Sequence, residues 1–516
     1  MPARALMVQG TASSVGKSLI AAALCRIFAR RGLRVVPFKA QNMSNNAAAL
    51  PDGGEIGRAQ YLQALAARII PSPDMNPILL KPETDAKSQV IVLGWRLETL
   101  SARDYYRSKP QLWDVVKTAY RRLADAADLV VIEGAGSPAE INLAESDMVN
   151  MAMARFAEAP VILVADIDPG GVFAQVVGTL ALLKPEDRAR VRGILINKFR
   201  GDKKLLEPGL AMLETLTGVP VLGVVPMLND LDLPDEDGAS LERKPPKLRR
   251  AYAENTQSGV NDGITDGTSQ ALDIAIIRLP HISNFDDFDP LLSEPAVQIR
   301  YVEKPEHLGC PDVVIVPGTK ATMADLAWMK ARGFDIGLTW LARTGTRIIG
   351  ICGGYQMLGT FIRDPLRLES STSMMDGIGL LPVYTVFSDE KSVYPREGIL
   401  AGNLPGPLQA LAGLPVAGYE IHAGRTTVLG PHLIDTADGG FDGAYANDGR
   451  IWGTYFHGIF TSDRFRTAWI ASFGKKASEK DYRDRLEASL ERLADAVETE
   501  LDMKYLTHKI LQMEDE

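Results

Sequence analysis

Cysteine is scarce. Three occur in 516 residues, Cys25, Cys310 and Cys352, too few for a disulfide scaffold and in keeping with a reducing compartment. Histidine is almost as rare, with six, and no Cys/His group has the spacing of a zinc site. Apolar runs such as residues 159–165 have the length of a strand and fall well short of a membrane span. The opening Met-Pro-Ala-Arg-Ala-Leu-Met-Val shows neither the long apolar stretch nor the cleavage site of a secretory signal. Dense Lys/Arg blocks are missing and the formal net charge is −9, which argues against nucleic acid as the main partner. The expectation is a cytoplasmic protein with no membrane and no nucleic-acid partner.

What is present is an ordinary globular balance, 46% hydrophobic and 23% charged residues, in a chain too long for one core. Up to about residue 230, short apolar runs at 5–8, 33–37, 129–132, 161–165, 193–196 and 221–224 alternate with longer amphipathic stretches. Their hydrophobicity is continuous rather than alternating, as strands of a parallel sheet covered on both faces require. This half therefore reads as a doubly wound α/β domain. Residues 231–270 turn acidic, then basic, then rich in Gly, Asn, Asp, Ser and Thr, a composition that buries little apolar surface and predicts a linker, mobile over 251–269. A second α/β series opens at Leu272 and continues through 313–316, 347–351 and 451–455. The predicted organisation is a domain at 1–230, a linker at 231–270, a second α/β domain at 271–475 and a helical tail at 476–516.

Gly10-Thr-Ala-Ser-Ser-Val-Gly16-Lys17-Ser18 stands between the first predicted strand and a predicted helix. Backbone N–H groups at such a turn face a phosphate, Lys17 neutralises its charge and the Ser18 hydroxyl reaches Mg²⁺. The leading glycine sits one residue earlier than in the common spacing, and Thr11 takes its usual place. An acidic metal partner is expected at the end of a neighbouring strand, and Glu133 in Leu129-Val-Val-Ile-Glu133-Gly-Ala-Gly136 is the first candidate. Asp166 and Asp168 end the next strand and are weaker candidates, since either also suits a turn or a helix cap.

A second reactive centre is predicted at Gly350-Ile-Cys352-Gly353-Gly354, the pattern of a sharp elbow between strand and helix that exposes a nucleophile. The helix start would favour a thiolate, the Gly353 N–H would face an oxyanion, and Gly318 after an earlier strand could supply the second donor. The base is expected to be His457, at a strand end before Gly458. His422, in Gly418-Tyr-Glu-Ile-His-Ala-Gly424, is the second choice and could instead line the pocket. Cys25 and Cys310 read as packing residues.

Cys352-Gly-Gly-Tyr-Gln356 together with His457 resembles the class I glutamine amidotransferases, and the first half resembles the ATP domain of the dethiobiotin-synthetase kind. In this order the pair is similar to the cobyric acid synthase family of cobalamin biosynthesis. The segments that carry the likeness include Pro37-Phe-Lys-Ala-Gln-Asn-Met-Ser-Asn-Asn46, Gly54-Glu-Ile-Gly-Arg-Ala-Gln60, Met75-Asn-Pro-Ile-Leu-Leu-Lys-Pro82 and Ser137-Pro-Ala-Glu-Ile-Asn-Leu143.

The resemblance implies a P-loop-type domain followed by a flavodoxin-like amidotransferase domain. It implies ATP and Mg²⁺ with no permanently bound cofactor, and small-molecule substrates: glutamine, ATP and a corrinoid diamide. The reaction would be amidation of the b, d, e and g carboxylates of adenosylcobyrinic acid a,c-diamide to adenosylcobyric acid. By position, Lys17, Ser18 and Glu133 would serve nucleotide and metal, and Asn197 would contact adenine. Cys352, His457 and Gln356 would serve glutamine, and Lys39, Gln41, Asn42 and Asp147 would face the ligase site. Class I enzymes usually place Glu two residues after the histidine; Ile459 stands there, and Glu420 is the candidate replacement. The alternatives are an amide ligase with another acceptor, such as the a,c-diamide synthase or a cell-wall precursor amidase, and a partition-type P-loop switch ATPase.

Overall fold

All six apolar runs of the first half form one parallel sheet, in the spatial order Val221–Pro226, Val191–Phe199, Val161–Asp166, Arg4–Gly10, Leu129–Glu133, Val35–Phe38. The computed structural model describes residues 3–84, 87–229, 231–234, 271–370 and 372–513. Nearly all of the expected linker, including its mobile stretch at 251–269, lies outside the described residues.

Because these strands are parallel, their C-terminal ends share one edge. Register sets Val8 beside Glu133, Gly10 beside Val164 and Asp166 beside Asn197, so the candidate phosphate loop and the candidate carboxylates emerge together. A smaller four-stranded sheet, Gln41–Met43, Ile78–Thr84, Lys87–Val92 and Trp95–Ser101, follows the second strand of the chain. Its short strands were not legible in the sequence.

The second sheet begins as a parallel one. Val297–Val302, Leu272–Ile277, Val313–Val316, Arg347–Ile351 and Ile451–Thr454 lie side by side. It continues antiparallel through Phe441–Ala446, His432–Thr436 and Val383–Leu400, the last paired along its length with Pro415–Val428. The expectation of two α/β domains is borne out, with this antiparallel extension added.

The chain divides into two compact units. The described residues among 3–44, 54–234 and 485–513 form one, and those among 45–53 and 271–484 form the other. In the first, the C-terminal helix Tyr482–Glu500 turns Leu490, Leu493 and Val497 into the core shared with Ile20, Leu24 and Ile27 of the helix Lys17–Arg30. Buried Arg26 links the two helices through Glu487 at 2.9 Å and Glu491 at 2.7 Å. In the second, the strand Ala47–Ala49 is contributed by a segment more than 200 residues earlier in the chain. No helix among the described residues is long and apolar enough to cross a membrane.

Candidate active sites

In the first unit the chain leaves Gly10, turns through Ser14 at φ 58 and Gly16 at φ 103, and enters the helix at Lys17. Two of its glycines are there for space. A Cβ on Gly10 would stand 2.5 Å from Val15 Cγ2, and one on Gly16 would stand 2.2 Å from Asn197 Nδ2. Asn197 donates to Val15 O at 2.8 Å and so braces the loop itself. Lys17 Nζ reaches back to Ala12 O at 2.9 Å and across to Gly136 O at 3.0 Å. Thr11 bonds Gln175.

Glu133 is the hub of this edge, fully buried. Its Oε1 accepts from Ser18 Oγ at 2.9 Å and Lys39 Nζ at 2.8 Å, and its Oε2 from Gln63 at 2.5 Å and Gln60 at 3.2 Å. Asn42 Nδ2 extends the network by donating to Gln60 Oε1 at 3.0 Å. Lys39, Asn42, Ser18 and Glu133 are thus brought together. Gln60 and Gln63 were missed as individuals, although Gln60 closes one of the motifs that carry the family likeness.

Four candidates stand apart from the hub. Gln41 accepts from Tyr105 OH. Asp147 takes the N–H groups of Val149, Asn150 and Ala152 at 2.8–2.9 Å, the work of a cap on the helix Met151–Phe156. Asp166 accepts from the Asp168 N–H and pairs with Lys198 at 2.7 Å, while Asp168 pairs with Arg200 at 3.0 Å. The Asp pair shapes its own turn.

In the second unit Arg347–Ile351 ends at Cys352, whose φ of 50° and ψ of −109° no ordinary strand or helix residue adopts, and Gly353–Leu358 follows as helix. Small neighbours are obligatory here. A Cβ on Gly354 would lie 1.9 Å from Val316 O, and one on Gly350 would lie 2.7 Å from Tyr355 Cα. Cys352 N donates to Thr454 O at 2.9 Å, and its thiol points to Ile421 O at 3.6 Å.

His457 is a titratable neighbour on which the charge of Cys352 acts. Its Nδ1 is 2.7 Å from Asp287 Oδ2, and Asp287 Oδ1 accepts the Gly458 N–H at 2.7 Å. Burial alone would lower the pKa of His457, but the charges of Asp287 and Cys352 outweigh it and raise it to about 10. The carboxylate on His457 is therefore Asp287, not Glu420. Glu420 bonds His422 Nε2 at 3.3 Å and Arg396 at 3.2 Å. His422 lies flat on Tyr455, ring centroids 3.6 Å apart, and bonds Gly424 O through Nδ1.

Gly318 lies against the imidazole, since a Cβ there would sit 3.0 Å from His457 Cε1, and Gly353 borders Thr319 of the same loop. Gln356 receives the Thr322 hydroxyl at 3.3 Å and donates to Tyr455 OH at 2.9 Å. Cys352, His457, Gly318, Gly353 and Gln356 all fall in one neighbourhood, as expected.

Residues 6–241 match the CobQ/CobB/MinD/ParA nucleotide binding domain, and residues 273–465 match the CobB/CobQ-like glutamine amidotransferase domain. A cobyric acid synthase of Sorangium cellulosum is 50% identical over 98% of this chain and 98% of its own length. One from Moorella thermoacetica is 52% identical over 90% of this chain and 88% of its own. One from Salmonella typhimurium is 46% identical over 99% of both.

Proposed function

The chain belongs to the cobyric acid synthase family, and from that premise we propose that it amidates the b, d, e and g carboxylates of adenosylcobyrinic acid a,c-diamide with ATP and glutamine, giving adenosylcobyric acid. Relatives of one name over nearly the full length disfavour the a,c-diamide synthase reading. The amidotransferase match disfavours a partition-type switch.

The observation that carries the glutaminase half is the elbow at Cys352 beside an imidazole fixed by Asp287. With Nδ1 engaged, His457 keeps Nε2 for the sulfur, and a cationic imidazole is the partner that a thiolate nucleophile requires. The sulfur attacks the carboxamide carbon of glutamine, the developing oxyanion meets the N–H groups of the Gly318 loop and Gly353, and His457 gives its proton to the departing ammonia. Water then cleaves the thioester to glutamate.

The ligase half must activate a carboxylate, whose own leaving group would be oxide. ATP does so by forming an acyl phosphate, with Lys17 and the loop amides holding the transferring phosphoryl group. The residues fit Mg²⁺. Ser18 Oγ and Glu133 Oε1 already converge at 2.9 Å, and Mg²⁺ takes one or two such oxygens, filling its shell with phosphates and water. It would neutralise phosphate charge there. Ammonia attacks the acyl phosphate and phosphate departs.

Replacement of Cys352 by Ala tests the scheme. Glutamine-driven amidation is expected to vanish and ammonium-driven amidation to persist, with four successive amide mass shifts on the corrinoid diamide. Loss with both nitrogen sources would refute a two-site enzyme.

A further inference from the structure

A second pair of imidazole and carboxylate stands in the amidotransferase unit, beside the loop that follows the strand Val313–Val316. Asp325 is fully buried in the first turn of the helix Thr322–Arg332, with Oδ1 2.7 Å from His281 Nδ1. Its Oδ2 accepts the His281 N–H at 3.2 Å and the hydroxyl of Thr319. The steps derived for Cys352 and His457 make no use of this carboxylate.

His281 and Thr319 flank a single antiparallel bridge. Ile282 stands opposite Thr319, bracketed by bonds from Ser283 N to Gly318 O and from Lys320 N to His281 O, both at 3.0 Å. In a pair of this register each residue points its own N–H and C=O away from the partner chain. Thr319 therefore turns its N–H away from residues 281–283. Gly353 lies close to that nitrogen: a Cβ on Gly353 would stand 3.2 Å from Thr319 N and 2.7 Å from Thr319 Cγ2. The Thr319 hydroxyl also accepts the Ala321 N–H at 3.2 Å, which ties the loop to the start of the helix that carries Asp325. One carboxylate thus gathers the loop, the helix and the 281–283 chain. A donor displaced by about 1 Å costs on the order of 10²-fold in rate.

Resting on the glutaminase reading above, we propose that Asp325 is a positioning residue for the oxyanion site. By gripping the Thr319 hydroxyl and both the main chain and the ring of His281, it fixes the 318–320 loop with its N–H groups aimed at the oxyanion formed when Cys352 attacks. Such a grip counts only once negative charge develops on that oxygen. It lowers the barrier to attack without tightening the binding of glutamine.

The full-length chain tests this by glutamate release in the complete mixture of glutamine, Mg-ATP and corrinoid diamide. Thr319→Val removes the hydroxyl but keeps the shape and the backbone N–H. Its kcat should fall about tenfold or more with little change in glutamine KM. Thr319→Ser keeps the hydroxyl and should recover most of the rate. Asp325→Asn should lower kcat to a similar degree, and combining it with Thr319→Val should cost no more than the worse single change, since both break one bond. Iodoacetamide reports on the sulfur alone. Cys352 displaces iodide without forming an oxyanion, so its alkylation, followed by mass spectrometry, should keep the wild-type rate in every variant.

Wild-type kcat in Thr319→Val, an equal loss in Thr319→Ser or a loss confined to KM overturns the proposal. So do losses that multiply in the double variant, and alkylation that slows in step with kcat. Should Asp325→Asn fail to fold, the two Thr319 variants decide between these outcomes. Absence of any glutamate release from wild type, or release that survives Cys352→Ala, would instead refute the glutaminase reading.

Discussion

Asp287 holds its histidine with both oxygens: Oδ2 is 2.7 Å from His457 Nδ1, and Oδ1 takes the N–H of the next residue, Gly458, at 2.7 Å. The ring can neither rotate nor exchange its nitrogens without breaking a buried, charge-assisted bond.

Asp287→Asn is therefore expected to reduce the kcat of glutamine hydrolysis by about 10²–10⁴-fold, as a wrong tautomer does in related triads. Ammonium-driven amidation is the control. The stability effect has a defined sign. Asp287 raises His457 above its ordinary value, so the stabilisation is complete below that value and fades as pH rises through about 10. Denaturant midpoints of wild type and variant should differ most near pH 6.5 and converge above 10.

Glu133→Gln should act on the other reaction. It removes the negative charge that Lys39 and Ser18 share, and amidation from either nitrogen source should fall about 10²–10³-fold. It also leaves Lys39, 3% exposed, without its carboxylate, at a cost of about 3–5 kcal/mol. Comparing amidation with glutamine and with ammonium checks this, because Cys352→Ala separates the two sources and Glu133→Gln does not.

Asp442 carries a pH signature. Burial pushes its carboxyl up to about 6, more than the bonds from Thr454 and Tyr455 pull it down. The folded state therefore holds this proton more tightly than the unfolded chain does, and stability falls as pH rises from about 4 through 6. The fall due to this group is roughly 3 kcal/mol. Asp442→Asn should flatten that part of the curve, read from urea midpoints at pH 4 and 7.

Arg26→Ala should loosen the C-terminal helix. The guanidinium is wholly buried and holds Glu487, Glu491 and Leu65 O. Because both carboxylates are partly exposed, the expected loss is about 2–4 kcal/mol rather than the full cost of a buried charge. Faster amide exchange along 485–500 is the accompanying signal.

The parts of the two sites that were legible in the sequence are those where backbone geometry dictates residue type. Gly354 tolerates no side chain against Val316 O, and Gly16 none against Asn197, so the elbow and the loop announce themselves as local patterns. Continuous apolar runs gave the parallel strands for the same reason. Asp287 had no such signal. It lies 170 residues from His457 in Phe285-Asp-Asp-Phe, a run without periodicity, and only the tertiary fold brings the two together. The hairpin of Val383–Leu400 and Pro415–Val428 was equally hidden. It carries Pro395, Gly398 and Gly418, residues that read as breaks, and its register shifts between Phe387 and Ser392.

The return of Arg485–Leu511 to the first unit bears on how the molecule is made. During synthesis the helix Lys17–Arg30 emerges early, but Leu490, Leu493 and Val497, which cover its apolar face, leave the ribosome only after the whole amidotransferase stretch. The nucleotide-binding core is sealed last. A nascent chain thus completes its ammonia-releasing half before the ATP-consuming half is finished, and a chain halted before residue 485 lacks the cover for its first core.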